Sequence, residues 1–506
     1  MKKLVTVLMI ALALIGLLVG CAAAAQPQKD TVRLSINMAL PTINPMATAS
    51  LQAYYAFNQV YEGLLSWHEL ERKIEPRVAE RYDVNDKSTV YTFHLQPNGK
   101  FHNGDEITAD DVAFSYESAM SAPQMAAFTG GIESFRAVDK KTFEITLKHP
   151  NAPFLTDICN VMIISKREAQ EQGDDFGKKI SLAGTGPYYF ATLDPSTKWT
   201  LKAFPDYYRG EARIKNIEYT VVTDSSAGVI AVERGELSWY NAPVSSWAQL
   251  KSNPNLSTEL VPANHISLYS INWMANEVLA NDHVRKAIAY AIDEESCNLA
   301  AFDGLALVNE FIVDPMFVNC APTEVMSYPY DPVKAKEELA LAGYPDGVHI
   351  GEILCEPGSH YMKSALVIQA CLEEVGITVD LDLDDQGTEL ARAYAQEYDT
   401  NFTGFSNRAD FNAFRKWVHT DNIGAAYVNF KGDKFNWKRM DELFDLGAAA
   451  SDPAKRVEYY TELMNIVMDT ACYIPVYHRI SPYVWQKGLH VVNNPNYYQV
   501  YDWYWE

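Results

Sequence analysis

Apolar residues recur along the chain in two rhythms, one of period two and one close to 3.6, and the hand-over between them predicts the fold class. Val32, Leu34 and Ile36 alternate with Arg33 and Ser35, predicting a strand that runs into Pro41 and Asn44-Pro45. A proline-punctuated loop after a strand suits the rim of a site. Tyr91, Phe93 and Leu95 share one face of another strand, and Asn103-Gly104 between Phe101 and Ile107 signals a tight hairpin turn. Thr108, three residues before Asp111, caps a helix carrying Val112 and Tyr116. Asp282 caps a helix with Val284, Ile288 and Ile292 on one stripe. Asp331-Pro332 starts another that Gly343 stops, and a third spans Tyr361 to Val375 and stops at Gly376. Beyond that glycine Ile377, Val379, Leu381 and Leu383 alternate with Thr378, Asp380 and Asp382. Helix, glycine and strand in succession predict an α/β protein. No repeat or low-complexity tract occurs.

The first residues follow another logic. Met1-Lys2-Lys3, an apolar run from Leu4 to Leu18 and a small residue before a break form the pattern of a secretory signal. Leu18-Val19-Gly20-Cys21 resembles a bacterial lipoprotein signal, in which the cysteine is acylated and becomes the mature N-terminus. The expectation is a signal over 1–20, lipidation at Cys21, a small and polar tether over 21–30, and an extracytoplasmic protein held at the cell membrane. The alternative is an uncleaved anchor, for which the run lies at the short end of what spans a bilayer.

With 506 residues, 48% apolar and 21% charged, the remainder is globular and too long for one core. A net charge of -23 without a basic block excludes a nucleic-acid partner, which needs a basic face to neutralise phosphates. Cysteines 159, 297, 320, 355, 371 and 472 are too sparse for a disulfide scaffold. Cys355 and Cys371 could pair by proximity, or the thiols could be buried and free. The 30 tyrosines and 10 tryptophans suit either a ligand site with apolar and polar edges or ordinary core packing.

The chemical motifs fail one by one. Asp380, Asp382 and Asp384 begin like a calcium loop, but Asp385 stands where glycine and Ala391 where glutamate is required, leaving them as solvent-facing strand residues. No histidine pair has zinc-ligand spacing, so no metal and no cofactor are expected. Gly404-Phe405-Ser406-Asn407-Arg408 starts like a nucleophile elbow and lacks its second glycine; Gly184-Thr185-Gly186-Pro187 lacks the lysine of a phosphate loop. A secreted hydrolase using Ser406 therefore rests on a partial motif, and no enzyme is expected.

Five ordered blocks do resemble a known family, the peptide/nickel/opine class of extracytoplasmic solute-binding proteins that serve ABC importers. They are Asn44-Pro45 with Tyr61-Glu62-Gly63-Leu64; Glu75-Pro76 through Lys100-Phe101-His102-Asn103-Gly104 and Thr108-Ala109-Asp110-Asp111; Gly184-Thr185-Gly186-Pro187-Tyr188 with Tyr207-Tyr208-Arg209-Gly210; Val284 through Asp293; and Tyr330-Asp331-Pro332 through Gly347. The resemblance implies a two-lobe, periplasmic-binding-protein-like (class II) α/β fold with an extra N-terminal subdomain and a hinged interlobe cleft. Lobe I would comprise about 31–266 and 476–506, with the extra subdomain near 53–183, and lobe II about 267–475. A monomer that closes on a peptide or other small polar solute and presents it to the permease would follow.

Resemblance also implies where the solute would sit. In peptide-binding relatives a glycine-tryptophan pair leads to an aspartate that pairs with the α-ammonium. Here the stretch begins at Gly404, and counting from either end puts Arg408 or Asn407 in the aspartate's place. Burying an ammonium without a counter-charge costs roughly 3–5 kcal/mol, so a free-amine peptide requires Asp410 to shift into the role. Arg408 would instead fork onto a carboxylate or phosphate. Met38, Leu40, Tyr240, Asn241, Tyr269 and Trp273 are the other implied cleft positions. Phe405, Tyr240, Trp273 and Trp417 could form aromatic walls, which keeps an oligosaccharide open; a nickel ligand would have only His419 nearby.

Overall fold

The computed structural model describes residues 29–48, 51–69, 71–308, 312, 320–406, 410–422, 427–494 and 498–506. The signal, Cys21 and most of the tether lie outside the described residues, as do Asn407 and Arg408.

Strand Thr31–Ile36 pairs in parallel with Asn216–Val221, and the sheet continues antiparallel through Lys198–Ala203 to Tyr188–Asp194. The alternation read in the sequence buries Val32, Leu34 and Ile36 with Trp199, Leu201, Ile217 and Tyr219. A second four-stranded antiparallel sheet, in the order Ala79–Val84, Val90–Leu95, Thr142–Leu147, Ile132–Asp139, has its own core. Tyr91, Phe93 and Leu95 point inward beside Phe143 and Ile145, and helix Ala109–Met120 lays Val112 and Tyr116 over them. Thr108 and Asp111 form the reciprocal capping box. Asn103-Gly104 makes its tight turn, with Gly104 at φ 87°, but closes on one isolated bridge, Lys100 to Glu106, instead of a ladder.

The other lobe is doubly wound. Strands Val348–Cys355, Ile377–Leu383 and Thr400–Ser406 run parallel, joined by helices His360–Glu374 and Gln386–Ala395. Gly376 takes φ 94° after the first of these helices, a conformation that favours glycine.

Two local expectations are corrected and one open alternative is closed. Asn281, not Asp282, caps helix Asp282–Ala291, accepting from His283 N; the Asp282 carboxylate turns to the buried Arg285 at 2.5 Å and to Lys434 at 3.0 Å. Ile292 lies just past that helix. Asp382 and Asp384 are not idle solvent-facing acids: helix Gln386–Ala395 brings Arg392 within 2.7 and 2.5 Å of them, and only Asp380 stays exposed. The six described cysteines are free thiols, so Cys355 and Cys371 are not bridged. Burial pushes the Cys355 thiol up to about 12.

The first three family-like blocks meet in space, while those over 284–293 and 330–347 pack in the core of the other lobe. Buried Glu62 accepts from Tyr207 OH at 2.6 Å and Tyr208 OH at 3.2 Å and lies 3.7 Å from Arg77 Nε. Burial raises the Glu62 pKa, against the opposing pull of Arg77 and the two tyrosines. His102 Nε2 lies 2.9 Å from Gly186 O, and its pKa is lowered by burial to about 4. A Cβ on Gly184 would come 2.3 Å from Val60 O, and one on Gly186 2.7 Å from Gln59 O. These motifs thus form the joint between the first sheet and the antiparallel subdomain.

Two long neighbouring strands, Leu256–Ile271 and Tyr473–Gln486, cross between the lobes. Val261 and Tyr483 belong to the first core, Ile266 to Ile271 and Tyr473 to Tyr477 to the second. Between them the ladder breaks: Pro262 pairs with Ile480 and Ile266 with His478, so Ala263, Asn264 and His265 face Arg479 alone. A bulge next to a proline removes ladder hydrogen bonds where the chain passes from one lobe to the other, the place where a two-lobe fold would hinge.

Candidate functional site

The strand directions fix the crevice. In the second lobe Thr400 pairs with Ile271 and Ser406 with His265, so the strand runs toward the bulge and its parallel neighbours end beside it at Cys355 and Leu383. In the first lobe Trp239 pairs with Trp485 and Asn241 with Tyr483, so this short strand also points toward the crossing. Strand Thr31–Ile36 lies alongside, with Ser238 N donating to Arg33 O at 2.7 Å. Both lobes therefore present strand carboxyl ends to the bulge, the place where open α/β sheets hold ligands.

The floor of this crevice is polar and aromatic. His265 Nδ1 lies 3.2 Å from Ser406 Oγ and its Nε2 lies 2.8 Å from Tyr361 OH. Tyr361 is at the start of the 15-residue helix that follows the strand ending at Cys355, where Ser359 caps by accepting from Met362 N. The His360 ring packs 3.9 Å from that of Tyr361 and 5.2 Å from Phe302. Arg479 bears on all three. Burial first, and then the Arg479 charge, lowers the His360 pKa to about 3 and holds that of His265 well below the ordinary range. His265 keeps some exposed surface, but dense packing around its ring still disfavours a second proton.

This geometry limits the chemistry. Ser406 and His265 meet as a nucleophile and base would, but the far nitrogen of His265 meets a phenol, not a carboxylate, and a guanidinium stands near. The imidazolium that general-base catalysis must form is therefore disfavoured. A cavity of about 310 Å³ bounded by Glu352, Asp382, Arg392, Tyr398 and Asp399 is a separate feature; Tyr398 and Asp399 lie at the opposite end of strand Thr400–Ser406 from the crevice. Among the described residues no group of three or more His, Cys, Asp or Glu is disposed to hold a metal.

The residues implied from sequence fall into two sets. Met38 is exposed beyond the end of Thr31–Ile36 and Asn241 is exposed at the end of its strand. The others point inward. Leu40 is buried and its N–H donates to Pro195 O. Tyr240 turns back onto Gly228 and donates to Ser225 O at 3.2 Å. Tyr269 is fully buried, donating to Thr400 Oγ1 at 2.7 Å. Trp273 lies eight residues from the bulge, about 26 Å along an extended strand, and donates to Asn429 O at 2.8 Å. Phe405 and Trp417 stack on each other at 5.0 Å, with Tyr427 4.8 Å beyond, so their faces are spent on the core. Asp410 is already paired: its carboxylate accepts from Arg456 at 2.7 Å and caps the turn at Asn412 N. His419 is buried 2.8 Å from an Arg415 nitrogen.

Sequence reasoning passed over His265, His360, Tyr361 and Arg479. The signals were a polar pair, His478-Arg479, inside an apolar strand run, and Ser359-His360 directly after a strand and a glycine turn.

Comparison with known proteins agrees with this architecture. The model of "Bacterial extracellular solute-binding proteins, family 5 Middle" matches residues 73–424, more than half of the chain. Di/tripeptide-binding protein 2 of Pseudomonas aeruginosa is 26% identical, covering 91% of this chain and 91% of that protein. HbpA2 of Haemophilus parasuis superposes with TM-score 0.82 at 24% identity, over 94% of this chain and 100% of that one. The ABC transporter-associated periplasmic binding protein DppA of Helicobacter pylori, solved with peptide STSA, gives TM-score 0.77 at 24% identity, over 94% and 98%.

Proposed function

The chain belongs to the bacterial extracellular solute-binding proteins of family 5, and from that premise we propose that it is the receptor of an ABC importer, closing on a peptide or peptide-like polar solute and handing it to the permease. The observation that carries this reading is the broken ladder between Pro262 and Ile266, on the two long strands that cross between the lobes, with both sets of strand ends facing it. A bulged two-strand crossing bends at little cost. Closure then persists only if the solute binds the closed state better than the open one.

Peptide is favoured over oligosaccharide because Phe405 and Trp417, the expected sugar platforms, lie inside a ring stack. Two of the relatives, one named for di- and tripeptides and one solved with peptide STSA, point the same way. The reading takes about 31–266 with 476–506 as one lobe and about 267–475 as the other, the two cores changing over between Val261 and Ile266 on one crossing strand and between Ile480 and Tyr483 on the other, with Met38 and Asn241 on the near wall. It includes no catalysis, in keeping with the disfavoured imidazolium at His265. Lipid attachment through Cys21, an extracytoplasmic monomer and a permease partner complete it; no described helix is long and apolar enough to cross a membrane.

Small-angle scattering with and without a panel of di- to tetrapeptides tests the reading. A peptide that raises the melting temperature should also contract the radius of gyration, since ligand at a hundred times Kd adds about 2.7 kcal/mol. An unchanged radius and melting temperature with every peptide, but a response to oligosaccharides, would replace peptide by sugar.

A further inference from the structure

We propose that Arg479 anchors a carboxylate of the solute on the crevice floor, with Tyr361 and His360 completing the site; this rests on the peptide-receptor reading. Five arginines of the second lobe, Arg285, Arg392, Arg415, Arg439 and Arg456, reach an aspartate or glutamate. Arg479 reaches none among the described residues, in a chain with 65 acidic and 42 basic side chains. Acid is abundant, yet no described acidic side chain pairs with this half-buried guanidinium at the hinge, and its counter-charge is left to come from the solute.

The surroundings suit a carboxylate. The buried Nε2 of His360 has no hydrogen-bond partner. Tyr361 OH, beside His265, offers a polar contact, and the helix beginning at His360 brings its positive end to the same place. Neither histidine carries charge at neutral pH; besides Arg479, the other cation bearing on His360 is Lys363, an exposed residue in the first turn of the same helix. The carboxylates that bear on Tyr361 are Glu389 and Glu356. Glu389 is buried and held by Asn401 Nδ2 at 2.7 Å, and Glu356 sits at the rim after Cys355, outside ion-pair reach of Arg479. A planar guanidinium takes a carboxylate through two parallel hydrogen bonds, which a lysine cannot reproduce. Because Arg479 is on the crossing strand itself, a carboxylate held there ties the solute to the hinge.

The test compares the tightest binder in a di- to tetrapeptide panel with its C-terminal amide, by fluorescence titration, on the parent protein and on Arg479→Gln and Arg479→Lys. The parent should bind the acid at least about 30-fold tighter than the amide, Arg479→Gln should bind both equally, and Arg479→Lys should fall between. Melting temperatures check that the variants are folded, and the acid/amide ratio within the parent does not depend on any variant. Equal binding of acid and amide by the parent overturns the assignment and leaves the peptide reading intact. Binding of neither overturns both.

Discussion

Replacing Asp410 by alanine separates a structural carboxylate from a ligand counter-ion. In the structure its side chain is 11% exposed and that of Arg456 8%, 2.7 Å apart, and Arg456 also donates to Gly447 O at 2.8 Å. An exposed pair would be worth about 0–1 kcal/mol. Here, removing one partner strands a buried guanidinium, a loss of about 3–5 kcal/mol. The cap on Asn412 N adds about 1 kcal/mol. Asp410→Ala should therefore destabilise the second lobe by roughly 4 kcal/mol or more, the two effects not being strictly additive. Arg456→Met added to it should recover much of the loss, because an apolar replacement leaves no unpaired charge. Urea unfolding followed by tryptophan fluorescence reads the change, with Trp417 only seven residues away in sequence; local hydrogen exchange over 411–418 isolates it from the other lobe. Peptide affinity of the folded protein should stay within a few-fold. Unchanged urea midpoints together with a tenfold or greater loss of peptide affinity would refute the reasoning and return Asp410 to the ammonium.

Four further outcomes follow from the same packing. Glu62→Ala should lower the melting temperature through a loss of about 3–5 kcal/mol at the Tyr207, Tyr208 and Arg77 joint and leave peptide affinity unchanged, as calorimetry and titration would read. Trp417→Ala should cost about 3–5 kcal/mol by emptying the centre of the Phe405–Trp417–Tyr427 stack, again in stability and not in affinity. His102 has its folded pKa lowered to about 4 against 6.5, so its contribution is complete above about pH 6.5 and is lost as pH falls toward 4. By pH 5 that is about 2 kcal/mol, and His102→Gln should show a shallower decline of melting temperature between pH 7.5 and 5 than the parent. Gly184→Ala should prevent normal docking of the subdomain, since its Cβ would meet Val60 O at 2.3 Å; an unaltered melting temperature would contradict that packing.

The parts of this protein that local rules govern were legible in its sequence. Period-two alternation at Val32 to Ile36 and Ile377 to Leu383, the Thr108 box, and the glycines at 343 and 376 all depend on neighbours within a few residues, and each forms as read. The family-like blocks were legible too, although the first three build the internal joint around Glu62 and Gly186 and the last two pack inside the second lobe's core. Side-chain direction was another matter. Tyr240, Tyr269, Trp273, Phe405 and Trp417 are residue types that suit a binding wall and a core equally well, and only the sheet order and the helices packed on it turned them inward. Asp410 could not be known to be taken until Arg456, 46 positions away, came within 2.7 Å. Likewise the hinge floor gathers His265, Tyr361 and Arg479 from three distant segments, because antiparallel crossing strands and parallel strand ends meet at one break in the ladder. Local periodicity sets which elements form; which face of each meets a solute is decided by long-range pairing.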